Sequence, residues 1–160
     1  MADARIFRDL KADHDRHRAM LEKLGETSGA SEERRTQFEA LRTELQAHAA
    51  AEEESLYATM LAEPDLRDEA RHSVSEHKEI DDYLGELVDI DMSSSAWLTK
   101  FKEMRHRYLH HIDEEEEEMF PSAAKNLSAE AEKRIAKVFE QRKPAELEAA
   151  AEQTPGDDRE

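Results

Sequence analysis

Hydrophobic side chains recur at alternating intervals of three and four along most of the chain, the spacing of amphipathic α-helices. The first stripe runs through Phe7, Leu10, His14, His17, Leu21 and Leu24 and predicts a helix from about Ala4 to Leu24. Gly25 suits its C-terminal cap, with a loop over residues 26–30. Ser31 followed by Glu32 and Glu33 predicts the start of a second helix, with its stripe at Phe38, Leu41, Leu45, His48, Glu52, Leu56 and Met60. Pro64-Asp65 breaks the pattern and can start a third helix, with Leu66, Ala70, Val74, His77, Ile80, Asp81, Leu84 and Val88 on its inner side. A loop over Asp91–Ser95 supplies capping serines for a fourth helix, with Trp97, Phe101, Met104, Tyr108, His111, Glu115 and Met119 in phase. Pro121 is expected to end it. Ser128 predicts the cap of a shorter fifth helix to about Arg142, with Ile135, Val138 and Phe139 on one side.

Short connections between four long helices predict an all-α fold, an antiparallel up-down-up-down four-helix bundle with a short extra C-terminal helix. The bundle and that helix would occupy residues 1–143, leaving 144–160 as a polar, acidic, disordered tail. Composition agrees with helix: 39% of the 160 residues are charged, and there are only four glycines and four prolines. A net charge of −17 opposes binding to nucleic acid or anionic membrane, so both are set aside as partners. No apolar run approaches membrane length and the first residues show no apolar signal core, which makes the cytoplasm the expected location. The absence of cysteine excludes disulfides, thiolate metal sites and cysteine nucleophiles. Neither a Ser/His/Asp arrangement nor a glycine-rich phosphate loop is present.

The histidines change the picture. Each of the four long stripes contains one: His14, His48, His77 and His111. Glu52 and Glu115 follow two of them by four residues, a spacing that puts imidazole and carboxylate on one helix face roughly 6 Å apart. A single inward histidine is most often a hydrogen-bonded core residue. Four, with two buried carboxylates, are harder to explain as packing. Unpaired carboxylates inside a bundle would cost several kcal/mol each. A pair of divalent cations, completed by oxide, hydroxide or water, would satisfy both kinds of group. This nitrogen- and oxygen-donor set suits iron, manganese or zinc better than magnesium or calcium.

Helical phase separates these residues from their neighbours. His110 with Glu114 repeats the spacing of His111 with Glu115 but lies about 100° off the stripe. Glu69-x-x-His72 and Glu103-x-x-His106 match a ferritin-like signature, yet each histidine is five residues before His77 or His111 and so about 140° off the inner face. There is also an internal echo: His48, Glu52, Glu53, Glu54, Leu56, Tyr57 and His111, Glu115, Glu116, Glu117, Met119, Phe120 share their offsets.

At Asp13-His14, His48-x-x-x-Glu52, Glu76-His77 and His111-x-x-x-Glu115-Glu116 running into Met119-Phe120-Pro121, the sequence resembles the hemerythrin-like, HHE cation-binding family over about residues 6–121. The resemblance implies a four-helix bundle around two non-haem iron ions, bridged by carboxylates and an oxo or hydroxo group. Glu52 and Glu115, or Glu116, would bridge; His14 and His48 would hold one ion, His77 and His111 the other. It implies a protein that binds or senses oxygen or a peroxide-like small molecule, or handles iron, rather than an enzyme. The alternative is an enzyme reducing peroxide, oxygen or nitric oxide. Two departures weaken an oxygen-carrier role. Ser73 stands where the oxygen-carrying members have a second histidine on the third helix, and their fourth-helix carboxylate corresponds to Glu116. His17 is a candidate replacement ligand, though a core or supporting role fits it better. Glu53 and Asp81 are candidate acceptors for a ligand imidazole, and Tyr57 and Tyr108 could lie near the centre. The fifth helix could cover the bundle or form a homodimer contact.

Overall fold

Helix follows helix throughout the computed structural model, which describes residues 3–152 and contains no strand among them. The α-helices are α1 (Arg5–Gly25), α2 (Glu32–Glu52), α3 (Ala58–Ala62), α4 (Arg67–Asp89), α5 (Ser95–Glu114), α6 (Phe120–Asn126) and α7 (Ala129–Glu152). Two π-helical turns, Glu53–Tyr57 and Glu115–Met119, join α2 to α3 and α5 to α6 without a break. The caps lie where side-chain chemistry places them. Ser31 accepts from the Arg34 N–H at 3.1 Å, Ser94 from Trp97 at 3.3 Å and Ser128 from Ala131 at 3.1 Å.

The π-turns follow from the residue spacing. Before each turn the stripe alternates threes and fours; from His48 and from His111 it advances by fours alone. Each step of four over-rotates a regular helix by about 40°. A wider turn absorbs that excess, so Leu56, Met60 and Met119 stay buried on the same side as the histidines.

α1 packs against α2 and α5, α4 packs against α5 and α2, and α7 lies along α2 and α1. The apolar side chains form two clusters. One gathers Phe7, Leu10, Leu56, Met60, Phe120, Ile135 and Phe139; the other gathers Leu21, Leu41, Leu84, Trp97, Phe101 and Met104. Each fully buried large side chain contributes roughly 1.5–3 kcal/mol through removal of its surface from water. The buried histidines lie between these clusters in sequence and in space: His14 stacks on Phe120, and His111 has Tyr108 beside it.

Several local expectations are corrected. Leu87 is buried and Val88 exposed, because the step from Leu84 that keeps phase is three and not four. Gly25 adopts no left-handed cap; it is the last residue of α1, and a Cβ there would meet the Arg105 guanidinium. The left-handed position is Gly29, at φ 63°, in the following loop. Pro121 does not end the helical path. It sits in the first turn of α6, where proline is tolerated. The segment expected to be a tail remains helical through Pro144 as far as Glu152. Contacts on both sides of the proline hold it. Lys143 Nζ donates to Asp13 and Glu44, and Arg42 donates to the Ala150 carbonyl at 2.9 Å. Residues 153–160, the rest of that segment, lie outside the described residues. No helix among those described is long and apolar enough to cross a membrane.

Candidate metal centre

The six residues selected by helical phase converge. His14, His48, Glu52 and Glu115 can bring one donor atom each within 4.8 Å of one another, and so can Glu52, His77, His111 and Glu115. The two groups share both glutamates. From His14 the Nε2 atom lies 3.1 Å from Glu115 Oε1; from His48 and His77 it lies 3.4 and 3.3 Å from Glu52 Oε1. His111 Nε2 is 3.9 Å from Glu115 Oε2. All six side chains are buried, whereas His110 and His72 remain mostly exposed and His106 is exposed.

Each histidine is fixed from its outer side. His14 Nδ1 meets Glu116 Oε2 at 2.7 Å, His48 Nδ1 meets Asp13 Oδ2 at 2.8 Å, His77 Nδ1 meets Glu53 Oε2 at 2.8 Å and His111 Nδ1 meets Glu76 Oε1 at 2.7 Å. The carboxylates accept, so the Nδ1 atoms donate. In the neutral imidazole, the Nε2 lone pair then points inward. The acids are arranged in a cycle. Asp13 on α1 holds the histidine of α2, and Glu53, just after α2, holds that of α4. Glu76 on α4 holds that of α5, and Glu116, just after α5, holds that of α1.

The inner atoms lack what the outer atoms have. His14 Nε2, His48 Nε2, His111 Nε2, both Glu52 oxygens and Glu115 Oε1 are buried and meet no partner in hydrogen-bond geometry; they face one another instead, His14 Nε2 and Glu115 Oε1 at 3.1 Å. Unsatisfied polar atoms are rare in protein interiors, and each costs about 1–3 kcal/mol or more. Six in one layer, all of metal-ligand type, fit bound metal cations whose charge would offset the carboxylates.

The carboxylates shift the imidazole pKa values in turn. Burial disfavours the His14 imidazolium, but Glu115 and Glu116 outweigh it and raise the pKa to about 9. His77 is likewise raised to about 10, with burial opposed by Glu52 and Glu53. Burial would raise the Glu52 pKa, yet His48 and His77 hold it well below the ordinary carboxylate value.

Three residues lie beside the six. The Tyr57 hydroxyl donates to Glu115 Oε2 and lies 3.4 Å from His77 Nε2. Burial, and then the charges of Glu115 and Glu52, raise its pKa well above that of a free phenol. Ser73 is buried nearby, with Oγ 3.8 Å from Met119 Sδ. His17 has both nitrogens engaged: Nε2 with Glu44 at 2.8 Å and Nδ1 with the Tyr108 hydroxyl at 2.6 Å. It supports the centre rather than facing it, and burial lowers its pKa to about 4. Asp81, a candidate acceptor, instead accepts from Gln46 at 2.9 Å, while Glu53 takes the expected position on His77.

Sequence inspection overlooked Asp13 and Glu76 as supporting acids, and Lys143 as the cation that joins Asp13 to Glu44. A signal for the acids was present. Asp13, Glu53, Glu76 and Glu116 are each adjacent in sequence to one of the six inward residues.

Two cavities reach the centre. One, of about 400 Å³, has Leu45, Val74, Ile80 and Leu84 in its wall and extends to His48, His77 and Tyr108. The other, of about 380 Å³, is lined by carboxylates and reaches Ser73, His111 and Glu115.

A search of curated proteins finds no match. Among solved structures, the chain is similar to a hemerythrin HHE cation binding domain-containing protein from Mycobacterium kansasii. The TM-score is 0.73 and the identity 24%, over 89% of this chain and 93% of that one. At this identity the likeness is one of fold. The family model for the hemerythrin HHE cation binding domain matches residues 5–123, a span holding all six inward residues and their four supporting acids. The chain belongs to the hemerythrin HHE cation-binding domain family.

Proposed function

We propose that the four long helices form an antiparallel bundle around two non-haem iron ions, and that the protein binds or senses oxygen or a related small molecule or handles iron. The observation that carries this reading is the layer of buried, partnerless His and Glu atoms backed by four outer carboxylates. His14 and His48 would hold one ion and His77 and His111 the other, with Glu52 and Glu115 between them. Such a pair supplies reversible redox chemistry and open positions for a small ligand. The protein's part is to fix the imidazoles, exclude bulk water and admit small molecules through the cavity that Leu45, Val74, Ile80 and Leu84 line together with Glu53, Lys78 and Asp81.

Ser73 and Tyr57 favour a second reading, an enzyme that reduces peroxide, oxygen or nitric oxide. The serine supplies no imidazole beside His77, and the tyrosine hydroxyl reaches Glu115 and His77 from that side. A nitrogen-poor ion retains more open positions. Metal analysis and optical spectra of protein produced with ample iron test both readings. About two irons per chain is expected, and absence of metal refutes both. Return of unchanged oxygen by the reduced protein favours binding; sustained consumption of peroxide favours the enzyme.

A further inference from the structure

Beside the two groups that share Glu52 and Glu115, the described residues hold two more of metal-ligating type: Asp13, His17 and His48, which are buried, and one that is partly open to solvent. His72, Glu76 and Glu114 can bring one donor atom each within 4.8 Å. His72 Nε2 lies 3.4 Å from Glu76 Oε2 and 3.5 Å from Glu114 Oε1, and His110 Nε2 lies 3.2 Å from Glu114 Oε2. Such a group on an acidic surface would carry little by itself. Two further observations connect it to the interior. Glu76 serves both places: its Oε1 accepts from His111 Nδ1 at 2.7 Å, while Oε2 faces His72. The carboxylate-lined cavity that begins at His72, Glu76 and Glu114 also has His111 and Glu115 in its wall. There, His111 Nε2 and Glu115 Oε1 are buried without partners.

We propose that His72, Glu76 and Glu114 form a loading site that takes up a divalent cation at the surface and passes it through this cavity to His111 and Glu115. The inference rests on the metal-centre reading above. The physical case is one of graded donors. An exposed imidazole and two carboxylates that are 18% and 33% exposed remain in contact with water, and bind a hydrated cation weakly and release it readily. The inner site, dry and holding orphaned donors, binds it more tightly. The negative wall raises the local cation concentration, an effect that accelerates association by about tenfold or more in clefts of one sign. The other cavity sets Glu53, Asp81 and Glu146 among apolar side chains and has the Lys78 ammonium in its wall, so it attracts a cation less than the carboxylate-lined one, which holds no Lys or Arg.

Stopped-flow uptake of Co2+ by the metal-free full chain, followed through cobalt absorption, tests this. His72→Ala and Glu114→Gln should each slow filling about tenfold while reaching the same final cobalt content as the unaltered protein. Glu22→Gln, which removes an equal charge from an exposed position on α1, should fill at the original rate. Unchanged rates in both loading-site variants, or equal slowing by Glu22→Gln, would overturn the loading site while leaving the inner centre intact. Failure of the unaltered chain to take up cobalt would instead refute the metal-centre reading, and the loading site with it.

Discussion

Glu116 and His14 close a cycle of carboxylate–imidazole contacts, with Oε2 and Nδ1 2.7 Å apart. Glu115, one residue earlier, faces the opposite nitrogen of the same ring at 3.1 Å. The two neighbouring acids therefore have different duties, and substitution should distinguish them. Glu116→Ala should weaken metal binding by about 10- to 100-fold, the usual effect of removing a supporting acceptor, with helix content retained. Glu115→Ala should remove one of the two shared carboxylates and reduce the metal content itself. Competition against a chromophoric chelator measures both; equal effects would contradict the division.

His111→Ala should lower the bound metal by about one ion per chain, as expected for loss of a direct ligand. His110→Ala should leave stoichiometry unchanged, since its side chain is 64% exposed. Metal content after exhaustive dialysis decides the matter, and the reverse outcome would refute the phase argument.

Cation binding should release protons near neutral pH. The pKa values of His14 and His77 in the folded, metal-free chain are about 9 and 10, above the ordinary 6.5. Their contribution to stability is thus complete below about 6.5 and is lost as pH rises through 9 to 10. Cations compete with those same protons, so apparent affinity should climb with pH up to that window. An indicator dye in weakly buffered solution at pH 7.5 should report acid release upon metal addition. No release would show that these imidazoles are neutral before binding.

Lys143→Ala should destabilise the fold by about 2 kcal/mol, below the 3–5 kcal/mol typical of a fully buried pair because this site is partly solvated. The ammonium lies 2.7 Å from both Asp13 and Glu44 and fastens α7 to α1 and α2. Burial opposes ionisation of Glu44, but His17 and Lys143 hold its pKa down to about 2. The stabilisation is therefore present above about 4.5 and fades as pH falls towards 2. Thermal melts at pH 7 and pH 3 should show a clear difference between variant and parent at the first and a smaller one at the second.

Much of the architecture was legible in the chain. Alternating threes and fours gave the long helices, and Ser31, Ser94 and Ser128 marked their starts. The same phase picked His111 over His110 and placed His72 and His106 outside. Phase describes one helix at a time, however. Which acid supports which imidazole depends on how neighbouring helices are set, so Asp13 and Glu76 stand in the motifs without a role that phase alone assigns. The continuation of α7 past Pro144 likewise depends on Lys143 and Arg42 meeting partners far away in sequence. The π-turns left a local trace in the successive fours after His48 and His111, and a regular-helix template passes over it.

The cycle of acids also bears on how the chain selects its native packing. Each of α1, α2, α4 and α5, taken with the π-turns that continue α2 and α5, gives a carboxylate to one neighbour and receives one from another. Turning any helix by one residue, about 100°, would break a contact on each side and leave ionisable groups buried alone. Hydrophobic stripes also oppose a full turn of that size but tolerate smaller rotations, because leucine packs against many surfaces. A closed set of directional contacts does not, and the angular setting of all four helices is thereby specified jointly, before any cation arrives.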